Sequence, residues 1–187
     1  MPDNASIPFP GDGARARRLA EMIRVDHAGE FGAVQIYRGQ RAVFDAIPSK
    51  SRMSDMLAEM EAGEQAHLET FDRLIKERGV RPTVLAPVWR LAGFTLGAAT
   101  ALMGEKAAHA CTAAVEEVIE GHYAEQARAL ASEDPDLQAT IEKFRADELA
   151  HKDTAIAEGA QDATGYRLMS AVIKAGCRLA IRVSEKI

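Results

Sequence analysis

Residues Glu64 to His67 read Glu-Gln-Ala-His, and residues Glu148 to His151 read Glu-Leu-Ala-His. Positions three apart on a helix share a face, so each pair can present a carboxylate oxygen and an imidazole nitrogen to one metal ion. A single Glu-x-x-His is common on exposed helices and carries little weight. Here each copy follows an earlier glutamate at nearly the same separation, Glu30 before Glu64 and Glu116 before Glu148, so the chain contains an internal repeat. Four ionised carboxylates buried together are very costly unless neutralised, and two divalent ions supply the four positive charges required. An oxygen-rich set with one imidazole per ion is wrong for structural zinc and suits iron or manganese better.

Such a donor set must be held by four inward-facing helices. A helix with Glu followed by a helix with Glu-x-x-His, repeated, is the ligand pattern of the ferritin-like di-metal carboxylate bundles. The expected fold is all-α: a ferritin-like four-helix bundle with an apolar crossover segment and an additional C-terminal amphipathic helix. At 187 residues, 47% hydrophobic and 27% charged, the composition suits one core, so residues 14–187 are expected to form a single domain. Residues 1–13, rich in Pro, Gly, Asp and Asn, are expected to be a disordered start.

Steps of three and four predict the inward faces. The first, over Ala14 to Ala46, carries Leu19, Ile23, Asp26, Glu30, Val34, Tyr37, Arg41 and Phe44. The second follows Pro48, carries Met53, Leu57, Met60, Glu64, His67, Phe71 and Leu74, and ends near Gly79. The third, over Glu105 to Ser132, selects Glu116 rather than Glu117 as its inward carboxylate. The fourth opens on Asp134 as N-cap with Pro135 at its first position, presents Ile141, Phe144, Glu148, His151 and Ala155, and ends at Gly159.

Several residues near the donors have two readings. Gly29 and Gly32 cost roughly 1 kcal/mol each in a helix interior, which implies either close approach of a helix or ligand, or simple tight packing. Glu61 is either an extra carboxylate near the metals or a solvated or gating group. His27 forms a reversed motif with Glu30 but has no counterpart in the second repeat, so it reads as an outer or structural residue, as does His109. Asp147 is placed to hydrogen-bond a metal-bound histidine from a neighbouring helix, or to be an exposed charge. Tyr37 and Tyr123 each lie seven residues after Glu30 and Glu116, on their own glutamate's face. His122 points away from Glu116 and reads as structural or near a substrate entrance.

Between Pro82 and Gly104 the one charged residue is Arg90. The uncharged run Leu91 to Met103 spans about 20 Å as helix, short of a bilayer core of about 30 Å. The 83–104 crossover is therefore either a buried helix joining the halves of the bundle or an apolar surface or channel wall, with Trp89 and Arg90 at a membrane interface. Over residues 165–187, Arg167, Lys174, Arg178, Arg182 and Lys186 form a basic stripe on an amphipathic helix, although the whole chain has a net charge of −5. That stripe suits anionic lipid, an acidic partner, or docking on the acidic bundle. Cys111 and Cys177 form no Cys-x-x-Cys, and no secretory signal is visible.

These residues resemble one family over roughly Arg15 to Ile187: the demethoxyubiquinone hydroxylases, di-iron monooxygenases of ubiquinone biosynthesis. The resemblance rests on Val25-Asp26-His27-Ala28-Gly29-Glu30, Ala114-Val115-Glu116-Glu117, His122-Tyr123, Lys143-Phe144-Arg145 leading to Asp147-Glu148-Leu149-x-His151, and Ala175-Gly176-Cys177-Arg178. It implies two Fe ions per chain, with Glu30, Glu64 and His67 on one, Glu116, Glu148 and His151 on the other, and Glu64 and Glu148 bridging. It further implies hydroxylation of a demethoxyubiquinol ring with O2 as co-substrate and NADH as the electron source, without a dedicated nucleotide-binding domain.

Tyr123 and His122 are the candidate catalytic residues beside the metals. The implied partners are a polyprenyl benzoquinol substrate, the membrane surface, a lipid-binding accessory protein of ubiquinone synthesis and a second copy of the chain as homo-oligomer, with no nucleic acid. The lack of a transit peptide points to a bacterial form, peripheral at the cytoplasmic face of the inner membrane. The alternative function is a ferritin-like ferroxidase or other iron-handling protein, which shares the bundle and its ligands.

Overall fold

The structure, a computed structural model, describes residues 12–187. The expected disordered start lies outside the described residues except for its last two, which already belong to the first helix. Six α-helices follow one another: α1 (Asp12–Phe44), α2 (Ser51–Glu77), α3 (Ala86–Leu102), α4 (Glu105–Leu130), α5 (Pro135–Ala157) and α6 (Tyr166–Ser184). Short 3-10 turns at Pro48–Lys50 and Ala160–Asp162 join α1 to α2 and α5 to α6. The start of α5 follows its sequence signal, with Asp134 accepting a 3.1 Å bond from the Leu137 amide and proline next in the chain. Gly159, at φ 91°, ends the run after α5 in a conformation that other residues rarely adopt.

Helices α1, α2, α4 and α5 form the bundle, with α1 against α2 and α4 against α5. The inward faces are those the periodicity predicts, except that Arg41 lies at the rim with Glu61. One apolar layer joins Ile23, Phe71, Tyr123, Leu130, Ile141 and Phe144 at one end of the bundle. Another joins Tyr37, Phe44, Leu57, Met60 and Ala108 at the opposite end. Each large side chain in these layers contributes about 1.5–3 kcal/mol by leaving water. Between the layers lie the repeat's four glutamates.

The crossover helix α3 runs back along the outside of α1, and α6 lies along α4. Close contact between α1 and α3 depends on glycine. A Cβ on Gly97 would lie 2.0 Å from the Ile36 carbonyl oxygen, and one on Gly39 would lie 2.1 Å from that of Phe94. Gly29 and Gly32 behave differently, because a Cβ on either meets nothing within 4 Å. Their Cβ directions face open space, although the Gly32 carbonyl oxygen lies against Gly93 of α3. The two faces of α3 differ: one is buried against the bundle, and the other exposes apolar side chains. Gly93, Gly97, Thr100 and Ala101 are buried, whereas Leu91 and Leu102 are 70% and 76% exposed.

Helix α6 is likewise two-sided. Lys174 and Lys186 dock on the bundle through Glu117 (2.7 Å) and Glu21 (3.1 Å), while Arg167, Arg178 and Arg182 are exposed and make no ion pair among the described residues. Leu168, Val172 and Leu179 are exposed beside them. No described helix is long and apolar enough to cross a membrane.

The glycine contacts make a testable contrast. Gly97→Ala should destabilise the protein by about 2 kcal/mol or more through overpacking at the α1–α3 seam. Gly29→Ala should be neutral or stabilising by up to about 1 kcal/mol from helix propensity. Urea unfolding of the two variants measures the difference.

Candidate metal centre

The donor cluster forms where the middles of the four bundle helices meet. Glu30 on α1, Glu64 and His67 on α2, Glu116 on α4 and Glu148 on α5 are all buried, and His151 on α5 is partly so. Their atoms form two overlapping groups. Glu30, Glu64, His67 and Glu148 make one; Glu64, Glu116, Glu148 and His151 make the other; within each, the donor atoms lie within 4.8 Å of one another. Glu64 and Glu148 belong to both. His67 Nδ1 lies 3.4 Å from Glu30 and 3.2 Å from Glu148, and His151 Nδ1 lies 2.9 Å from Glu64.

The polar atoms left without partners mark where cations would sit. Both oxygens of Glu64 and of Glu148, Oε2 of Glu30 and of Glu116, and Nδ1 of both histidines are buried without a hydrogen bond. An orphaned buried polar group costs about 1–3 kcal/mol, and charged ones cost more, so eight in one small volume need a ligand. Two divalent cations would satisfy them and balance the four carboxylates.

The outer atoms of the same residues are tied down. Tyr37 donates a 2.7 Å hydrogen bond to Glu116 Oε1, and Tyr123 donates one to Glu30 Oε1. The tyrosines therefore cross between the repeats: each shares a helix with one glutamate and holds that of the other half. Both phenol pKa values are raised well above the ordinary range, first by burial and then by nearby carboxylates, so both stay protonated donors.

His67 Nε2 lies 3.1 Å from Asp147 Oδ2, the orienting contact anticipated from sequence, which leaves Nδ1 facing the carboxylates. Phe144 stacks on the same ring at 3.9 Å. In the other half, the residue before Glu64 is Gly63 rather than an aspartate, and its missing Cβ would lie 3.4 Å from the His151 ring. Gly63 offers His151 no side-chain partner where Asp147 orients His67, so the two halves of the repeat are not equivalent.

Burial dominates the electrostatics. It raises the pKa of Glu30, Glu64 and Glu116, with neighbouring carboxylates adding to the effect. For Glu148, burial is outweighed by the nearby imidazoles of His151 and His67, which hold its pKa at about 2. For His67, burial opposes the charged form, but Glu148 and Glu30 push its pKa up to about 11.

The remaining candidates separate cleanly. His27 pairs with Asp72 at 3.0 Å, and Glu61 bridges Arg38 and Arg41 at 3.0 and 2.8 Å, so neither joins the donors. His109 is buried away from the cluster. His122 is not among the donors but meets Asp26 and Gln126, two buried residues whose pairing sequence reasoning did not anticipate. Asp26 stands on the predicted inward face of α1, which was the available signal.

Behind the donors, α1 and α4 form the floor of a cavity of about 450 Å³ whose other walls are α3 and α6. Gly29, Gly32, Trp89, Val115, Ile119 and Val172 are among its lining residues, which are overwhelmingly apolar. Gly29 and Val115 are the chain neighbours of Glu30 and Glu116, so the cavity lies against the same two helices that carry these donors.

A four-helix bundle enclosing two overlapping carboxylate and imidazole donor sets defines a ferritin-like di-metal carboxylate protein. Residues 17–184 match the family described as "Ubiquinone biosynthesis protein COQ7". The chain belongs to that family. It is 49% identical over 179 residues to the 3-demethoxyubiquinol 3-hydroxylase of Rhodospirillum rubrum, covering 96% of this chain and 83% of that one. It is 44% identical over 179 residues to the mitochondrial NADPH-dependent 3-demethoxyubiquinone 3-hydroxylase of Mus musculus, covering 94% and 81%. It is 41% identical over 189 residues to the mitochondrial 5-demethoxyubiquinone hydroxylase of Saccharomyces cerevisiae, covering 93% and 80%.

At neutral pH the metal-free cluster retains protons, because three carboxyl pKa values are raised and His67 stays protonated up to about 11. Metal ligation requires the deprotonated forms, so adding Fe(II) or Mn(II) should release protons, and apparent affinity should rise with pH. Titration in weakly buffered indicator solution reads the release; uptake of metal without it would contradict the assignment.

Proposed function

We propose that this chain is an O2-dependent monooxygenase that hydroxylates the ring of a polyprenyl demethoxyubiquinol in ubiquinone biosynthesis. The carrying observation is a buried, doubly overlapping donor cluster on helices that also line an apolar cavity. Glu30, Glu64 and His67 would hold one iron, Glu116, Glu148 and His151 the other, with Glu64 and Glu148 bridging. Bound iron would supply the electrons that activate O2.

The chain's own residues do the rest. The apolar layers on either side of the cluster exclude water, so electrostatic interactions inside are strong. Tyr37 and Tyr123 are positioning residues that hold the outer oxygens of Glu116 and Glu30 by donating a hydrogen bond to each, and leave Oε2 of each directed inward. Asp147 fixes the tautomer of His67. His122 is the candidate for contact with substrate or electron donor at the edge of the site. Electrons come from a reduced nicotinamide nucleotide: NADH on the family resemblance, NADPH in the name of the mouse relative.

The cavity opens between two helices with unpartnered apolar faces, and Val172 both lines it and is 63% exposed. A substrate with a polyprenyl tail is dissolved in lipid. The exposed Leu91, Leu102, Leu168 and Leu179, with Arg178 and Arg182, suit a peripheral seat on an anionic bilayer that brings the cavity mouth to the tail.

Two measurements test this reading. With iron-loaded protein, a reduced nicotinamide nucleotide and labelled O2, one labelled oxygen should enter the demethoxyquinol ring. Glu148→Ala should lose more iron than Glu30→Ala, since a bridging ligand serves both ions. Catalytic oxidation of excess Fe(II) with no label in the quinol would replace hydroxylation by iron handling. Separately, anionic vesicles should float the protein at low salt and release it at high salt, and vesicles doped with a quinone should also quench Trp89, the sole tryptophan. Failure to float at low salt would make both faces ordinary packing.

A further inference from the structure

Three polar side chains meet between α1 and α4, apart from the donors. Asp26 is 3% exposed, and its Oδ1 accepts a 2.8 Å hydrogen bond from Gln126 Nε2. The same amide nitrogen lies 2.9 Å from His122 Nε2, which is 3.5 Å from Asp26 Oδ1. One Gln126 amide therefore spans the carboxylate and the ring, donating one N–H to each. In that arrangement the imidazole accepts at Nε2 and carries its proton on Nδ1.

A second proton on Nε2 would lose Gln126 as a partner and find Asp26, which is already beside it. Both protonation states of His122 thus have a neighbour in place, and the ring need hardly move between them. The His122 side chain is 17% exposed and reaches solvent, whereas Asp26 is closed off. Val25, Ile119 and Ser184, which line one end of the cavity, come from the same stretches of chain as Asp26, His122 and Glu185. Asp26 is one helical turn before Glu30, and His122 adjoins Tyr123, which holds Glu30.

We propose that Asp26 and Gln126 are positioning residues that make His122 Nε2 a proton-exchange station between solvent and the buried site. The inference rests on the hydroxylase reading for its use. Ring hydroxylation joins one atom of O2 to a ring C–H carbon as C–OH and releases the other as water, consuming two electrons and two protons. The reduced nicotinamide brings two electrons and one proton as hydride, so one further proton must come from solvent in every turnover.

The surrounding charges favour the proton on His122. Burial opposes the charged ring, but the hydrogen bond and charge of Asp26 outweigh it, with Glu185 at the end of α6 and Glu125 on α4 acting in the same direction, so the pKa is raised. Burial raises the pKa of Asp26 too, so the pair holds its proton more firmly than a free imidazole does. The cation on α1 next to this group, Arg24, is tied to the carbonyls of Arg81 and Glu185.

The test uses the full chain labelled with nitrogen-15 at histidine, the His122 signal being assigned by its loss in His122→Gln. Metal-free wild type should show His122 titrating above the ordinary value of about 6.5. Asp26→Asn should lower that midpoint by about one pH unit or more, because the charged state loses its counter-ion. Gln126→Met should raise it, because the neutral state loses its donor, so the two variants shift in opposite directions.

In the iron-loaded enzyme the alkaline limb of labelled-oxygen incorporation should move to lower pH in Asp26→Asn, with iron content unchanged, and return toward wild type in Asp26→Glu. An unmoved His122 midpoint in both variants overturns the proposal, as does a moved midpoint with an unmoved pH profile. If Asp26→Asn does not fold, the Gln126→Met shift decides. If wild type incorporates no labelled oxygen, the hydroxylase reading fails, while the spectroscopic shifts still report whether Asp26 and Gln126 govern His122.

Discussion

Placing four carboxylates and two imidazoles in the middle of a helical bundle is the constraint on which the rest of this structure depends. Desolvation makes the cluster unfavourable by itself, and its eight unpartnered atoms record that cost directly. The arrangement persists because apolar layers on both sides hold the helices in register and because the outer oxygens are occupied by tyrosine hydroxyls. A helical turn of slippage in any bundle helix would remove a donor and leave its neighbours with uncompensated charge.

The internal repeat gives the cluster its near symmetry, and the departures from symmetry are informative. The crossed tyrosines couple the two halves, since Tyr37 of the first holds Glu116 of the second and Tyr123 of the second holds Glu30 of the first. At the positions preceding Glu148 and Glu64, one half carries an orienting aspartate and the other a glycine with no side chain to orient a ring. His67 is therefore held by hydrogen bonding and stacking, a support that His151 lacks on the Gly63 side. The two halves match in their donors and differ in the residues that support them.

The two helices outside the bundle add a cavity to the scaffold that holds the carboxylate and imidazole cluster. Helix α3 approaches α1 closely over Gly39, Gly93 and Gly97, while the bare Gly29 and Gly32 leave volume further along the same face. Helix α6 closes the other side through Ile173, Cys177 and Ile181 and keeps its exposed arginines and leucines outward. Ferritin-like chemistry requires only the four inner helices. The added pair supplies an apolar cavity, which suits an organic substrate better than a metal ion.

Much of this was legible in the chain. Six donor residues, the all-α bundle, the inward faces and the Asp134 cap follow from spacing, because helical periodicity is local and a duplicated motif is improbable by chance. The role of Asp147 toward His67 was visible as one of two readings. What spacing could not decide is which residues meet across helices, since that depends on the relative rotation and rise of elements far apart in sequence.

The sharing of Glu64 and Glu148 between the two sets followed from the family resemblance rather than from spacing, and the packing places both residues in both groups. Only the folded structure revealed that Tyr37 and Tyr123 exchange glutamates, that Gly29 and Gly32 face a cavity instead of a tight contact, and that Gln126 joins Asp26 to His122. Residue types and their periods determined the chemistry available to this protein. Side-chain contact between non-adjacent helices determined how that chemistry is oriented, because hydrogen bonds at 3 Å depend on tertiary geometry that no local pattern specifies.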